Sequence, residues 1–291
     1  MLNLSLIIPA LNEEGAIVET IDNLKSLAAR EGWDLDLIVV NDGSTDKTGL
    51  LAQERGARVI HHPTNGGYGR SLQDGIRVAK NNLIAITDAD GTYPVDQLPK
   101  LLEMVTGRGF DMAVGARQGK EFKRGFWKYP ARIAFRFLAE YVAGRRIPDI
   151  NSGLRVFRRD ALRPHLSRTC NGFSFTTSIT LIFMLNGFFV GYAPIDYAER
   201  RGESKVRHFR DTLRTAQILI SLISAYNPLK LFLLLSFFSA ALGLIFLMIY
   251  YIFGYFSALW ISMACFGGVL PIFALGCLAE SVRVNSARDY E

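Results

Sequence analysis

Several residue types are scarce in this 291-residue chain, and their scarcity limits what the protein can be. It has three cysteines, Cys170, Cys265 and Cys277, without the close spacing of a zinc site or a disulfide framework. Its four histidines show no metal-binding pattern either. Segment 231–279 contains no Asp, Glu, Lys, Arg or His. These gaps argue against a zinc protein or a disulfide-stabilised domain and indicate a membrane segment.

The uncharged segment is long enough for two membrane-spanning helices. One such helix needs about 20 apolar residues, so the segment predicts helices at about 231–253 and 257–279 with a turn at 254–256. The alternative is a helical hairpin buried in a globular core. That alternative is disfavoured because core helices rarely stay apolar on every face.

Basic residues flank both ends of this predicted hairpin, and they predict which side of the membrane these ends face. By the positive-inside rule, both ends and the large N-terminal domain face the cytoplasm. The chain opens directly on a strand, so no signal peptide is expected. The net charge of +6 indicates attraction to an anionic membrane or to phosphorylated ligands, not to nucleic acid. The flanking residues are Arg207, Arg210, Arg214, Lys230, Arg283 and Arg288.

The first 116 residues alternate between strand and helix patterns with short connections. This alternation predicts an α/β fold with a parallel sheet and right-handed crossovers, in which ligands bind beyond the carboxyl ends of the strands. The predicted strands are 3–9, 36–40, 58–61, 83–87 and 111–115, and the predicted helices are 13–30, 46–55, 67–81 and 95–105.

After residue 118 the alternation breaks. Segment 171–195 is uncharged, but its Ser, Thr, Asn and Gly content favours a soluble helix and strand over a membrane span. Contact of part of it with lipid stays open. Two further segments have basic and apolar positions at helical spacing, which is typical of helices on a membrane surface. The predicted elements are helices 127–142, 175–186 and 206–226 and strand 188–197.

An Asp-x-Asp sequence, Asp88 to Asp90, directly follows the strand predicted at 83–87. Two carboxylates at a strand end suit a hard divalent cation that keeps positions open for phosphate oxygens. The acidic turn 42–46 could be an ordinary capped helix start, which would not explain two acidic residues beside a second acidic strand end. The glycine-rich turn 65–69 could bring backbone amides near a phosphate, but it lacks the lysine of a phosphate-binding loop.

Five segments in this order resemble one family: 5–14, 40–46, 88–91, 151–155 and 201–205. The chain resembles family 2 glycosyltransferases of the GT-A fold over about residues 3–206, in the dolichyl/polyprenyl-phosphate sugar synthase branch. The resemblance implies a Rossmann-like, mainly parallel sheet flanked by helices. It also implies inverting transfer of a hexose from a nucleotide diphosphate sugar, of the GDP-mannose or UDP-glucose type, to dolichyl or undecaprenyl phosphate, with bound Mg²⁺ or Mn²⁺.

The resemblance assigns roles by position. Asp88 and Asp90 match the metal-binding pair, with Asp90 as the more direct ligand and Asp88 also on the donor side. The residues that match the donor nucleoside site are Pro9, Asn12, Glu13 and Asp42. Those that match catalytic positions are Asp90, Arg117 and Arg201, and those that match the acceptor phosphate site are Lys128, Arg132, Ser152, Arg201 and Lys205.

The chain departs from the usual family sequence at two places, and the role of Asp149 is open. These points affect which sugar or acceptor is expected, not the reaction class. Gly91-Thr92-Tyr93-Pro94 follows the acidic pair where many members have a long side chain and a proline-rich run. Segment 173–178 has no Glu, which many members carry there. Asp149 either orients the acceptor side or belongs to a helix-ending turn.

The chemistry that the resemblance implies suits these residue types. A phosphate monoester is ionised at pH 7, so the protein needs no strong general base and must hold two anions together. Three alternatives are weighed against this interpretation. A processive polysaccharide synthase would carry Gln-x-x-Arg-Trp, but no tryptophan here follows an arginine. A single-sugar transferase acting on a lipid-linked or protein acceptor, and a non-catalytic nucleotide-sugar-binding membrane scaffold, remain.

The domain prediction follows from these segments. We expect a catalytic domain at 1–205, a juxtamembrane amphipathic helix at 206–228, a transmembrane hairpin at 229–280 and a cytosolic tail at 281–291. Partners would be the nucleotide sugar, the polyprenyl phosphate and the membrane, with homo-oligomerisation through the transmembrane helices as an option.

Overall fold

The computed structural model describes residues 1–118, 129–197 and 208–288. For the helical residues 129–134, 208–215 and 286–288 it describes the backbone only. The chain divides into two compact units, Met1–Thr215 and Ala216–Glu291.

The first unit contains a seven-stranded sheet among the residues that the structure describes. Its spatial order is β3-β2-β1-β4-β6-β5-β7. Strand β6 is antiparallel to both of its neighbours, and the other pairs are parallel. The strands are β1 (Leu2–Ala10), β2 (Trp33–Asn41), β3 (Arg58–His61), β4 (Leu83–Ile86), β5 (Met112–Gln118), β6 (Arg155–Arg158) and β7 (Val190–Asp196).

Helices follow most strands. A short 3₁₀ turn, Val95–Gln97, leads into α4, and another, Arg163–Arg168, follows α6. The helices are α1 (Ile17–Glu31), α2 (Thr48–Glu54), α3 (Tyr68–Val78), α4 (Leu98–Thr106), α5 (Tyr129–Ala143), α6 (Arg159–Leu162), α7 (Phe175–Leu185), α8 (His208–Tyr226), α9 (Pro228–Phe253) and α10 (Phe256–Arg288).

Apolar side chains on both faces of the sheet form two core layers, as the period-2 alternation of strands requires. On one face Leu6 belongs to a cluster with Ile21 of α1. On the other face its neighbour Ile7 belongs to a cluster with Ile76 of α3 and Phe183 of α7. The sheet is therefore covered on both sides, and its polar chemistry is confined to the strand ends and loops.

The predicted alternation of strands and helices is confirmed, with shifts of a few residues at most ends. Helix α7 and strand β7 confirm the helix and strand predicted at 175–186 and 188–197, whereas β6, which also belongs to the sheet, was not predicted. Strand β6 was missed since it is only four residues long and begins and ends with arginine. Helix α7 is buried in the core of the first unit, which confirms the soluble interpretation of 171–195.

Helix α5 is amphipathic, as predicted, but its apolar residues point in different directions. Ala139 and Val142 are buried, whereas Phe137 is largely exposed. Arg136 forms an ion pair with Glu140 at 3.0 Å on the same helix. Only part of the predicted apolar face therefore belongs to the protein core.

In the second unit, α9 and α10 are long and apolar enough to cross a membrane. They pack against each other through small side chains: Ser239 Oγ donates to the Cys265 carbonyl at 2.7 Å, and Ser262 Oγ to the Gly243 carbonyl at 2.8 Å. Such contacts are typical of membrane helices. Only 11% of the apolar window of each helix is buried, which is less than expected for helices of a globular core. Gly254, with φ of +69°, ends α9 in the predicted turn.

Candidate active site

The acidic and polar residues singled out in the sequence meet at the carboxyl edge of the sheet. The loops after β1, β2, β4 and β5 all leave the sheet at this edge, because those strands are parallel. Strand β6 runs the other way, so the loop that precedes it, residues 149–153, also lies there. A separate cleft of about 420 Å³, lined by Asn3, Lys80 and Arg158 among others, lies at the opposite edge.

The loops after β1 and β2 are joined by reciprocal hydrogen bonds. The Asn12 N–H donates to Ser44 Oγ at 3.0 Å, and the Thr45 N–H donates to Asn12 Oδ1 at 2.8 Å. The Glu13 N–H donates to Thr48 Oγ1 at 2.8 Å. Asn12 has φ of +50°, a left-handed conformation that Asn tolerates better than most residues. Pro9, near the end of β1, pairs with Val40 of β2. The residues predicted to bind the nucleoside therefore lie together at the carboxyl ends of β1 and β2, where hydrogen bonds join the two loops.

The buried carboxylate of Asp42 holds the glycine-rich turn in place. Its Oδ1 accepts the Gly66 N–H at 2.8 Å, and its Oδ2 accepts the Gly67 N–H at 2.9 Å. His62 Nδ1 lies 2.7 Å from Asp42 Oδ1 and its Nε2 lies 3.3 Å from Asp74 Oδ2. The prediction that this turn could offer amides to a phosphate is corrected at these two positions, because both amides bind Asp42.

The acidic pair lies directly after β4. Asp90 is buried, and its Oδ1 accepts hydrogen bonds from the Thr92 N–H at 3.1 Å and the Thr92 hydroxyl at 2.6 Å. Asp88 Oδ1 accepts a hydrogen bond from the Tyr68 hydroxyl at 3.0 Å. Burial first, and then the charge of Asp88, raise the pKa of Tyr68 well above its ordinary value, so this hydroxyl stays protonated and donates.

The donor chemistry of this pair fits a magnesium or manganese ion. The carboxylates of Asp88 and Asp90 are hard oxygen donors. Mg²⁺ is commonly bound by one or two carboxylates together with substrate phosphates and water. Within residues 1–118, 129–197 and 208–288 no group of three or more His, Cys, Asp or Glu could hold a metal.

Arg117, at the end of β5, forms a two-pronged ion pair with Asp149. Its Nε lies 2.7 Å from Asp149 Oδ2, and its Nη2 lies 3.0 Å from Oδ1. The side chains are 16% and 3% exposed, which excludes a simple surface charge. The guanidinium also lies 5.3 Å from the centre of the Tyr197 ring. Burial alone would raise the pKa of Asp149, but the hydrogen bonds and charge of Arg117 outweigh it and lower that pKa.

Two expectations for loop 149–153 can be compared with its geometry. Asp149 does not merely end a turn, since it binds Arg117 and also accepts the Asn151 N–H at 3.1 Å. Ser152 is fully buried, and its hydroxyl donates to the Gly115 carbonyl at 2.5 Å. That hydroxyl faces the sheet, so its position does not support the predicted contact with the acceptor phosphate.

Arg155 is a structural support of the site that sequence reasoning missed. Its side chain is fully buried, and its Nε and Nη2 donate to the Ser152 and Ile150 carbonyls, each at 2.7 Å. Its Nη1 donates to Thr180 Oγ1 at 2.6 Å. Burial lowers the pKa of Arg155. It lies in segment 151–155, which the resemblance had marked without giving this residue a role.

Tyr93 is a second support that was missed, although it lies in the departure after the acidic pair. Its buried hydroxyl accepts the Gly153 N–H at 2.6 Å and so joins that segment to loop 149–153. Its ring meets Tyr197 edge to face, with 5.2 Å between the ring centres.

Four of the predicted basic residues are not placed by the structure at side-chain level. Lys128, Arg201 and Lys205 lie outside the described residues, and Arg132 is described only as backbone within α5. Their roles therefore stay predictions.

Comparison with known proteins identifies the family. The family model described as glycosyl transferase family 2 matches residues 5–166, more than half of the chain. This range includes the acidic pair, Arg117 and loop 149–153. The chain belongs to glycosyl transferase family 2.

Two curated relatives show how far the similarity extends. A low-salt glycan biosynthesis hexosyltransferase of Haloferax volcanii is 33% identical over 75% of this chain, and the chain spans about half, 53%, of that protein. An undecaprenyl-phosphate mannosyltransferase of Micrococcus luteus is 30% identical over 69% of this chain and 86% of that protein.

A solved structure confirms the GT-A-like fold. It is glucosyl-3-phosphoglycerate synthase from Mycobacterium tuberculosis in complex with Mn²⁺, UDP-glucose and phosphoglyceric acid. The TM-score is 0.62 at 20% identity, with 76% of this chain and 79% of that chain covered.

Proposed function

We propose that this protein transfers a hexose from a nucleotide diphosphate sugar to a polyprenyl monophosphate, with inversion and with a bound divalent cation. The observation that carries the proposal is the acidic pair Asp88 and Asp90 at the end of β4 in a family 2 chain that also has two membrane-length helices. The name of the Micrococcus luteus relative supports a polyprenyl phosphate as the acceptor class.

The donor would bind at the corner formed by the loops after β1, β2 and β4. Pro9, Asn12, Glu13 and Asp42 would surround its nucleoside, as the resemblance implies. The Asn12–Ser44 and Glu13–Thr48 hydrogen bonds fix this corner before any ligand binds. A preformed corner lowers the entropy cost of holding the donor in place.

Asp88 and Asp90 would hold Mg²⁺ or Mn²⁺, which neutralises charge on the diphosphate when bound. The Mn²⁺ in the complex of the structural neighbour supports this choice of cofactor. An acceptor phosphate oxygen attacks the anomeric carbon, the bond from that carbon to the diphosphate breaks, and the nucleoside diphosphate leaves. The phosphate is already ionised, so no protein base has to accept a proton.

Arginine and lysine residues would bring the two anions together. Arg117 is fixed by Asp149, and its planar guanidinium is suited to phosphate oxygens. Lys128, Arg132, Arg201 and Lys205 would bind the acceptor phosphate. We place the catalytic domain and both chain ends in the cytoplasm, because the basic residues flank the hairpin on that side.

The test is transfer by membranes that contain the full chain. Undecaprenyl or dolichyl phosphate is incubated with a panel of labelled GDP- and UDP-sugars, with and without EDTA. We expect one donor to label the lipid in a metal-dependent reaction, and no label with the non-phosphorylated polyprenol. Label in a lipid-linked glycan instead would favour the other single-sugar transferase, and donor binding without transfer would favour the non-catalytic scaffold.

A further inference from the structure

Tyr68, the first residue of α3, contacts the acidic pair although it lies 20 residues before it in the chain. Its hydroxyl donates to Asp88 Oδ1 at 3.0 Å, and its ring stacks on Phe173 with 5.9 Å between the ring centres and 12° between the planes. One end of the side chain is therefore packed and the other end is bound to a carboxylate oxygen.

The backbone around Tyr68 is built to bring α3 close to the loop before α7. A Cβ at Gly67 would lie 2.7 Å from the Asn171 carbonyl oxygen, and a Cβ at Gly69 would overlap the carbonyl oxygen of Cys170. The Arg70 N–H donates to that Asn171 carbonyl at 2.9 Å. Glycine on both sides of Tyr68 permits this contact, which fixes the start of the helix and with it the direction of the tyrosine.

Asp88 is also confined by loop 149–153. A Cβ at Gly153 would lie 2.9 Å from both carboxylate oxygens of Asp88, so the carboxylate packs directly over this glycine. The Tyr93 hydroxyl holds the Gly153 N–H at 2.6 Å. Asp88 is thus set between a hydrogen-bond donor from α3 and a backbone surface from loop 149–153.

We infer that Tyr68 is a positioning residue, which orients the Asp88 carboxylate for the metal–diphosphate complex of the donor. The inference rests on the proposed function, because it takes Asp88 as a ligand of that complex. Groups that hydrogen-bond a metal ligand commonly change metal affinity or activity by about 10- to 100-fold when they are removed. Neither the acidic pair nor the glycine-rich turn, taken alone, would assign such a role to Tyr68.

The experiment measures binding of Mn²⁺ to the full chain in detergent, from the EPR signal of free Mn²⁺, with saturating UDP or GDP as the probe. Tyr68→Phe should raise the apparent Kd for Mn²⁺ about tenfold. Tyr192→Phe is the matched control, because it makes the same chemical change at a buried hydroxyl for which no hydrogen-bond partner is found in the described structure. It should leave the Kd unchanged, and both variants should keep the thermal midpoint of the wild type.

A double-variant cycle shows whether Tyr68 acts through Asp88. Asp88→Ala should weaken Mn²⁺ binding, and adding Tyr68→Phe to it should cause no further loss. The inference alone is overturned if Asp88→Ala weakens binding but Tyr68→Phe does not, or if Tyr68→Phe costs the same with and without Asp88. If Asp88→Ala itself leaves binding unchanged, the metal role in the proposed function and the inference fail together.

Discussion

Replacing Asp149 with asparagine would test how the buried arginine of the site is held. Asp149 binds Arg117 through both carboxylate oxygens, and the two side chains are 3% and 16% exposed. Asp149 accepts the Arg117 N–H with Oδ2 and the Asn151 N–H with Oδ1. Asparagine has one side-chain oxygen, so it can keep only one of these two hydrogen bonds. The substitution thus removes the negative charge and one of the two acceptor oxygens.

The expected cost follows from leaving a buried cation without its counter-charge. Removing one partner of a buried ion pair costs about 3–5 kcal/mol. Because the new amide retains part of the hydrogen bonding, we expect about 3 kcal/mol. For a domain of this size each kcal/mol lowers the Tm by about 2–4 °C, so Asp149→Asn should lower it by about 6–12 °C.

The same pair predicts a dependence on pH. The folded-state pKa of Asp149 is below its unfolded value of about 3.9, because Arg117 stabilises the carboxylate. Its contribution to the free energy of unfolding is therefore complete at neutral pH and is lost as the pH falls through the folded pKa. Asp149→Asn removes this part of the acid sensitivity, so wild type and variant should converge in Tm at low pH.

The assay is thermal unfolding of the full chain in detergent, with two comparisons. Glu103→Gln breaks a pair with Arg108 at 3.1 Å, but both side chains are more than half exposed, so the Tm should hardly change. Arg117→Met in the Asp149→Asn background removes the uncompensated cation and should recover most of the Tm, whereas sugar transfer should stay low. The reasoning is refuted if Asp149→Asn is as mild as Glu103→Gln.

The remaining predictions concern the metal, the membrane and the acceptor. Asp90→Asn should nearly abolish transfer and make donor binding insensitive to metal; full turnover of the wild type in EDTA would contradict this. A cysteine in place of Tyr255 should react with an impermeant maleimide from outside and Arg288→Cys should not, whereas the opposite result would invert the topology. Arg201→Ala and Lys205→Ala should each raise the KM for polyprenyl phosphate more than tenfold through a lost charge-assisted hydrogen bond, with little change in metal requirement. Unchanged acceptor kinetics in both would remove these residues from the acceptor site.

Matched controls are available in the same chain. Asp96→Asn changes an exposed acid near the acidic pair and should leave transfer intact. Arg163→Ala removes an exposed arginine from the catalytic unit and should leave the acceptor KM unchanged. In the labelling experiment Cys265 and Cys277 are first replaced by serine, since both lie in α10.

Patterns of apolar residues were sufficient to predict most of the fold. Strand β1 alternates its side chains between two core layers, and α1 repeats Ile17, Ile21 and Leu24 at helical spacing, so local sequence determines both elements. Strand β6 could not be predicted in the same way. Its four residues, Arg155–Arg158, form a strand because β4 and β5 offer their edges on either side, which is a tertiary effect.

For the site, the sequence located the acidic residues but not their partners. Asp42 was expected to face a nucleoside, yet its carboxylate oxygens are engaged by the glycine-rich turn and His62. Tyr68 and Arg155 lie in segments that the sequence marked, but neither residue was given a role, because their roles arise from contacts with segments distant in the chain. Hydrogen-bond partners depend on the directions of loops, and periodicity does not report these directions.

Loop 149–153 connects the two sides of the proposed reaction physically. Gly153 lies against Asp88, the proposed metal ligand, while Asp149 at the other end binds Arg117. Arg155 fixes the carbonyls of Ile150 and Ser152 between these points. A displacement of this short loop would therefore move the Asp88 carboxylate and the Arg117 guanidinium together. Under the proposed function, this coupling would link the metal ligand Asp88 to the arginine proposed to meet the phosphates.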